Sequence, residues 1–184
     1  MRELSLNVMD IAQNSVRAEA TELAIRCVQD TAAQTLTITL EDNGCGMSQE
    51  QIASVTDPFF TTRTTRKVGL GVPLFKMAAE QTGGSFEITS APGEGTVTTA
   101  TFCTDHVDMT PLGDINSTVS LLINSNPDMD FVFERKVDEK SFTLDTKQLR
   151  EVLGDVPLNN PEVALWISSF LEENEKDLFG GKDQ

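Results

Sequence analysis

Apolar residues recur along the chain with two different periods, one typical of helices and one typical of strands. Near the N-terminus they lie three or four residues apart, which predicts a helix over residues 3–19. Two segments of strict alternation follow, which predicts a pair of strands joined by a turn at Asp30–Gln34. The helical positions are Leu4, Val8, Ile11, Ala12 and Val16, and the alternating positions are Leu23, Ile25, Cys27, Leu36, Ile38 and Leu40.

Start and stop signals predict the elements that come next. Ser48 can cap a short helix over 48–54, with Gln51 as its capping-box partner. Gly83 and Gly84 end a helix over about 72–81. The alternating segments 85–90 and 97–102 read as a hairpin. The predicted fold is α+β, a two-layer sandwich in which helices pack on one face of a mostly antiparallel sheet.

The last eighty residues predict a small α+β extension of unknown role, so we divide the chain into residues 1–104 and 105–184. Thr110 followed by Pro111 predicts a helix start, with an apolar stripe after it. A hairpin is expected around Asp138-Glu139. The predicted elements are strands over 131–137 and 141–145, a helix from Thr146 to Gly154, and a last helix from Asn160.

Charge and cysteine content limit the classes of partner and compartment. The net charge of −15 argues against nucleic acid or an anionic membrane surface as the main partner. Three cysteines without CxxC spacing are typical of a reducing compartment. No apolar run approaches the length of a membrane span, and the N-terminus lacks a signal-peptide core. We therefore expect a cytoplasmic protein.

Four short motifs follow one another at characteristic spacing. Asp10 and Asn14 stand four apart, on one face of the first predicted helix. Asp42-Asn43-Gly44-Cys45-Gly46-Met47 follows the second predicted strand, and Asp57-Pro58-Phe59-Phe60-Thr61-Thr62 comes next. Gly69-Leu70-Gly71 then precedes a helix. In this order the motifs resemble those of the GHKL or Bergerat-fold ATPases, which include histidine kinases, gyrase-type topoisomerases, ninety-kilodalton heat-shock chaperones and MutL-type repair proteins.

The resemblance covers about residues 1–104 and implies a site for ATP and Mg²⁺. Asn14 matches the asparagine whose carbonyl oxygen binds the magnesium that bridges the phosphates. Asp10 stands where hydrolysing relatives often carry a glutamate that activates water, and its side chain is one methylene shorter. A solvated polar helix face is the structural alternative for both residues.

The aspartate motif implies the adenine end of this site. Asp42 would accept a hydrogen bond from the exocyclic amino group of adenine, and guanine would present a carbonyl there instead. Gly44 and Gly46 allow close backbone approach and positive φ. Met47 would pack on the adenine or the pocket floor, and Thr96 would bind near it beside Asp42. An ordinary hairpin turn is the alternative for the segment that contains Thr96.

The remaining motifs imply a lid and a phosphate end. Thr61 to Lys67 form a short cationic segment, in which Arg63, Arg66 and Lys67 are candidate phosphate contacts. An exposed loop without that role is the alternative. Phe59 and Phe60 are expected as core anchors beneath the segment, with ligand contact as the alternative. Gly69, Leu70 and Gly71 would bind phosphate oxygens through backbone N–H groups at a helix start.

The expected function is phosphoryl transfer from magnesium ATP, to a partner protein or slowly to water. No pair of helices with a phosphorylatable histidine precedes Asp10 in this sequence, so the resemblance leads us to expect action in trans. The alternative is a binding module that ATP and ADP switch, in which the acidic segment 105–184 engages a partner. A nucleotide-free scaffold is a weaker third reading, against which Asn14, Asp42, Gly69 and Gly71 argue.

Overall fold

A computed structural model of the chain describes residues 3–57, 59 and 70–180. These residues form a mixed sheet whose strand order is β3-β4-β2-β1-β5-β6. The strands are β1 (Glu22–Asp30), β2 (Thr35–Asp42), β3 (Ser85–Ser90), β4 (Thr96–Cys103), β5 (Asp130–Val137) and β6 (Lys140–Asp145). The helices are α1 (Leu4–Arg17), α2 (Gln49–Thr56), α3 (Gly71–Gln81), α4 (Ile115–Ser125), α5 (Thr146–Leu153) and α6 (Pro161–Leu178).

Alternation along the strands creates one apolar sheet face, and α1, α3, α4 and α6 cover it. The alternating side chains of β1 and β2 that the sequence predicts as apolar are all buried there, and Phe102 and Phe133 join them from β4 and β5. Every described strand pairing is antiparallel except β1 with β5, which is parallel. The predicted α+β class, with helices on one face of a mostly antiparallel sheet, is confirmed.

The segment after residue 104 is built onto the same sheet and the same core. β5 runs beside β1, and side chains of α4 and α6 belong to the hydrophobic cluster that includes α1. The division at residue 105 stays a prediction. No helix in the described part of the chain combines the length and the apolar character needed to cross a membrane.

The predicted helix start at Thr110-Pro111 is wrong, and α1 supplies the reason. The first backbone N–H groups of a helix have no partner within it. In α1, those of Leu4 and Ser5 donate to the carbonyl oxygens of Pro111 and Leu112, both at 2.9 Å. These two carbonyls therefore belong to a segment without regular secondary structure that caps α1, and α4 begins only at Ile115, with Asp114 as its N-cap.

Candidate nucleotide-binding site

The carboxylate of Asp42, the last residue of β2, is held between a helix and a turn. Its Oδ2 accepts a hydrogen bond from the Ser15 hydroxyl of α1 at 2.6 Å, and its Oδ1 accepts one from the Gly44 backbone N–H at 2.8 Å. Ser15 is only 3% exposed, whereas Asp42 is partly exposed. The carboxylate is thus fixed by two donors at the edge of the core, and part of its surface faces outward.

Gly44 and Gly46 bring the turn after β2 close to two other elements. A Cβ on Gly44 would lie 2.8 Å from the Ala18 Cβ, and the Cys45 N–H donates to the Ala18 carbonyl at 3.0 Å. Gly46 has a φ of +73°, and a Cβ there would lie 2.0 Å from the Ala91 carbonyl oxygen. A side chain at either position would force the backbone apart, which explains why the turn needs glycine at both.

Thr96 faces Asp42 directly across the pairing of β2 with β4. The buried hydroxyl of Ser90 lies 2.9 Å from the Thr96 hydroxyl, donates to the Gly95 carbonyl at 2.7 Å and accepts from the Met47 N–H at 2.8 Å. A serine hydroxyl has one proton to donate, and Ser90 donates it to the Gly95 carbonyl. In the contact between the two hydroxyls, Thr96 is therefore the donor and Ser90 the acceptor. Ser90 therefore ties the turn that carries Met47 to the strand that carries Thr96.

Asp10, Asn14 and the start of α3 form the other end of the site. Gly71 begins α3, and a Cβ there would lie 3.1 Å from the Asp10 Cβ, so the two helices meet at this point. The Asp10 carboxylate is exposed beside the N-terminal end of α3. One turn further along α1, the Asn14 Oδ1 accepts a hydrogen bond from the Arg17 guanidinium at 3.2 Å.

Helix α1 connects the two ends. Asp10 contacts the start of α3, Ser15 contacts Asp42, and Ala18 contacts Gly44. At a rise of about 1.5 Å per residue, these contacts extend over about 12 Å of the helix axis. The structure thus places the predicted residues Asp10, Asn14, Asp42, Gly44 and Gly71 on α1 or next to it, and we call this set the α1 strip.

The other predicted residues have different outcomes. Arg63, Arg66, Lys67 and Gly69 lie outside the described residues, as does Phe60. Leu70 is the N-cap of α3 and is exposed. The prediction of Phe59 as a core anchor is wrong: the ring is 91% exposed, in a turn after α2 that the Asp57 carboxylate closes by accepting from the Phe59 N–H at 2.8 Å.

Ser15, Arg17 and Ser90 contact predicted site residues, although the motifs do not include them. Ser15 occupies a position of the apolar stripe of α1, four residues after Ile11, and Ser90 is a buried polar residue at a strand end. A polar residue in an apolar stripe is a usable sequence signal, because a buried hydroxyl needs a hydrogen-bond partner. The identity of that partner requires the fold.

The three thiols differ in their surroundings. Cys45 is exposed in the turn between the two glycines, and Cys103 is half-buried at the far end of β4 from Thr96. Cys27 is fully buried in β1. Burial raises the pKa of the Cys27 thiol to about 12, although the nearby Arg135 guanidinium acts to lower it. Since the thiolate is the reactive form, Cys27 is inert at neutral pH in the folded protein.

Comparison with known proteins identifies the class to which this fold and site belong. Residues 2–106 match the family of histidine kinase-, DNA gyrase B- and HSP90-like ATPases, and the chain belongs to that family. Residues 2–106 therefore form an ATPase domain of the histidine-kinase-like type. The resemblance on which the four motifs were interpreted is confirmed.

Among curated relatives, sensor proteins match about half of the chain. A putative sensor protein of Shewanella frigidimarina is 31% identical over 97 residues, which cover 52% of this chain and 15% of that protein. The sensor protein kinase FleS of Pseudomonas aeruginosa is 35% identical over 93 residues, 50% of this chain and 23% of that protein. The chain thus spans less than a quarter of the length of either relative.

The solved structures support the fold. The N-terminal domain of a DNA repair protein superposes with a TM-score of 0.55 at 13% identity, covering 84% of this chain and 58% of that one. The superposed 84% of the chain is more than residues 2–106 can supply, because those residues make up less than two thirds of the chain. The similarity of fold therefore continues into the segment after residue 106.

Proposed function

We propose that this chain binds ATP with Mg²⁺ in the strip along α1 and transfers the terminal phosphoryl group to a partner protein or, slowly, to water. The observation that carries the proposal is the Asp42 carboxylate, fixed by Ser15 and Gly44 opposite Thr96. A carboxylate held by two donors offers its remaining lone pairs as acceptors, and the 6-amino group of adenine supplies a matching donor.

The phosphate end is proposed from Asp10, Asn14 and Gly71. The first turn of α3 includes the backbone N–H groups of Gly71 and Val72, which have no acceptor within the helix, and carries a partial positive charge; both suit phosphate oxygens. Asn14 presents an oxygen ligand of the kind that Mg²⁺ takes when phosphates supply others. Bound there, the ion would supply positive charge next to the phosphates. The basic side chains proposed to supply further positive charge are Arg63, Arg66 and Lys67.

Ligand-induced stabilisation tests the proposal directly. ATP at about a hundred times its dissociation constant should raise the free energy of unfolding by roughly 2.7 kcal/mol. The shift should be larger with Mg²⁺ than with a chelator, and GTP at equal concentration should produce much less. An unfolding midpoint that is the same with and without ATP and Mg²⁺ would refute the assignment of this strip as a nucleotide site.

The exposed thiol of Cys45 reports occupancy of the adenine end. With ATP at about ten times its dissociation constant, alkylation of Cys45 by iodoacetamide should slow roughly tenfold, because about a tenth of the sites stay free. Cys103 is the matched control, because it lies at the opposite end of the β2–β4 pairing from Thr96. The rate of alkylation of Cys103 should not change with ATP. Mass spectrometry of digests measures both rates, and equal rates at Cys45 with and without ATP would place the adenine elsewhere.

Hydrolysis without a partner should be slow. A general base must come within about 2.6–3.2 Å of the water, and a small misplacement costs on the order of 100-fold. Asp10 is one methylene shorter than the glutamate of hydrolysing relatives, so we expect turnover well below the roughly 1–100 per second of kinases. Phosphate release should fall further in Asp10→Asn and rise in Asp10→Glu.

Fast hydrolysis that persists in Asp10→Asn would show that another group positions the water. Thermal unfolding of the three forms serves as the control, because the Asp10 side chain is exposed and its replacement should leave stability nearly unchanged.

A second candidate function is a module that ATP and ADP switch without significant catalysis. The short, exposed Asp10 carboxylate favours it, because a site that binds ATP and hydrolyses it slowly holds one nucleotide state for a long time. The acidic segment 105–184 would then engage a partner protein. Phosphate release near zero, together with a difference in hydrogen exchange between the ATP and ADP complexes, distinguishes this function from phosphoryl transfer.

A further inference from the structure

We propose that Ser15 is a positioning residue that sets the purine preference of the site by fixing the orientation of the Asp42 carboxylate. The inference rests on the proposed function, because it assumes that Asp42 meets the base. It assigns a specific role to a residue that contacts the carboxylate and is itself almost completely buried.

The contact between Ser15 and Asp42 is short and charge-assisted. At 2.6 Å, the distance from Oγ to Oδ2 lies in the range of strong O–H···O⁻ hydrogen bonds. Serine inside a helix often bonds back to its own backbone. Here the Ser15 hydroxyl reaches a residue 27 positions away, at the end of the neighbouring strand. The hydroxyl is therefore directed at the carboxylate.

The two donors on Asp42 act on different oxygens, and this fixes the plane of the carboxylate. The terminal torsion of an aspartate is broad, so a single donor leaves the group free to rotate. Ser15 holds Oδ2 and the Gly44 N–H holds Oδ1, which leaves one orientation. Without Ser15, the Gly44 N–H is the one remaining hydrogen-bond donor to the carboxylate among the described residues, and the carboxylate can turn away from a bound base.

A fixed acceptor distinguishes purines by their substituent at carbon 6. An amino group there donates to the carboxylate, whereas a carbonyl oxygen meets it as a second acceptor and is repelled. A site built to bond one polar group rejects an analogue without it, because its own polar atoms lose their partner. If Ser15 orients Asp42, loss of its hydroxyl should weaken only the binding that depends on the 6-amino group.

A purely structural role for Ser15 predicts a different result. The hydrogen bond also joins α1 to β2, so its loss could loosen the whole site and weaken every nucleotide equally. Purine riboside triphosphate, which has hydrogen at carbon 6, separates the two roles. Ser5→Ala is the matched control, because Ser5 is a buried serine of the same helix that donates to the Glu3 carboxylate at 3.2 Å, away from Asp42.

The experiment measures dissociation constants of ATP, inosine triphosphate and purine riboside triphosphate by calorimetry for the wild-type chain, Ser15→Ala and Ser5→Ala. In Ser15→Ala we expect ATP affinity to fall about tenfold, the size of a lost contact to a charged group. Affinity for purine riboside triphosphate should stay unchanged, and the preference for ATP over inosine triphosphate should shrink. Ser5→Ala should bind all three like the wild type.

Every other outcome overturns the inference. Equal weakening of ATP and purine riboside triphosphate would show a structural role, and unchanged ATP affinity would show no role. If Ser15→Ala does not fold, Ser15→Cys is read in the same way, since its thiol is a much weaker donor of similar size. A wild-type chain that binds none of the three nucleotides refutes the proposed function itself, which is distinct from failure of the Ser15 assignment.

Discussion

Replacing Asp42 with asparagine should weaken ATP binding about 10- to 100-fold, which corresponds to the roughly 1.5–3 kcal/mol of a hydrogen bond to a charged group. The Gly44 N–H must keep an acceptor, so the asparagine oxygen turns toward Gly44 and its NH₂ group toward Ser15. The variant then retains its internal hydrogen bonds but presents no charged acceptor to the base. Calorimetric titration of ATP into both proteins measures the loss.

The chain contains a close chemical match to Asp42 that serves as the control. Asp114, the N-cap of α4, accepts from a serine hydroxyl at 2.6 Å and from the Ser117 backbone N–H at 3.0 Å. Asp114→Asn removes the same charge from the same kind of hydrogen-bond pair, away from the α1 strip. ATP affinity should stay at the wild-type value in this variant. A folded Asp42→Asn protein with unchanged ATP affinity would remove Asp42 from the site.

Periodicity predicted most elements of the fold because most buried positions of this sheet and its helices are apolar. The capping box of α2, with Ser48 and Gln51, was readable from four residues and is present in the structure. The start of α4 was not readable, because it depends on α1. Thr110-Pro111 does not start a helix because the carbonyl oxygens of Pro111 and Leu112 accept hydrogen bonds from the first N–H groups of α1, more than a hundred residues earlier.

The same contrast applies to the site. Spacing within short motifs predicted Asp10, Asn14, Asp42 and Gly71, and the fold places these residues along one helix. Ser15 and Ser90 depend on partners elsewhere in the chain: Ser15 bonds Asp42, and Ser90 bonds Met47, 43 residues away. These hydroxyls contact residues that the motifs name. A motif therefore predicts which groups would meet a ligand, and the fold shows what holds those groups.

Replacing Asn14 with alanine should abolish the magnesium-dependent part of ATP binding and any turnover. Mg²⁺ requires a nearly ideal octahedral shell of oxygen ligands and is bound through few protein groups, so the loss of one is severe. Stability should not suffer, because alanine has a higher helix propensity than asparagine and the lost contact to Arg17 lies at the exposed surface. A loss of binding in this variant therefore reports on the site and not on folding.

Gln13→Ala is the matched control for Asn14, because it removes a neighbouring amide side chain of α1. Among the described residues, the one hydrogen bond of that side chain runs from its NH₂ group to the Met9 sulfur at 3.7 Å. Titrations of ATP with Mg²⁺ and with a chelator, on wild type and both variants, give the dependence on the ion. We expect wild type and Gln13→Ala to bind more tightly with Mg²⁺, and Asn14→Ala to bind equally under both conditions. An undiminished magnesium effect in Asn14→Ala would show that the ion is held without this oxygen, and the phosphate end of the site would then have to be assigned to other residues.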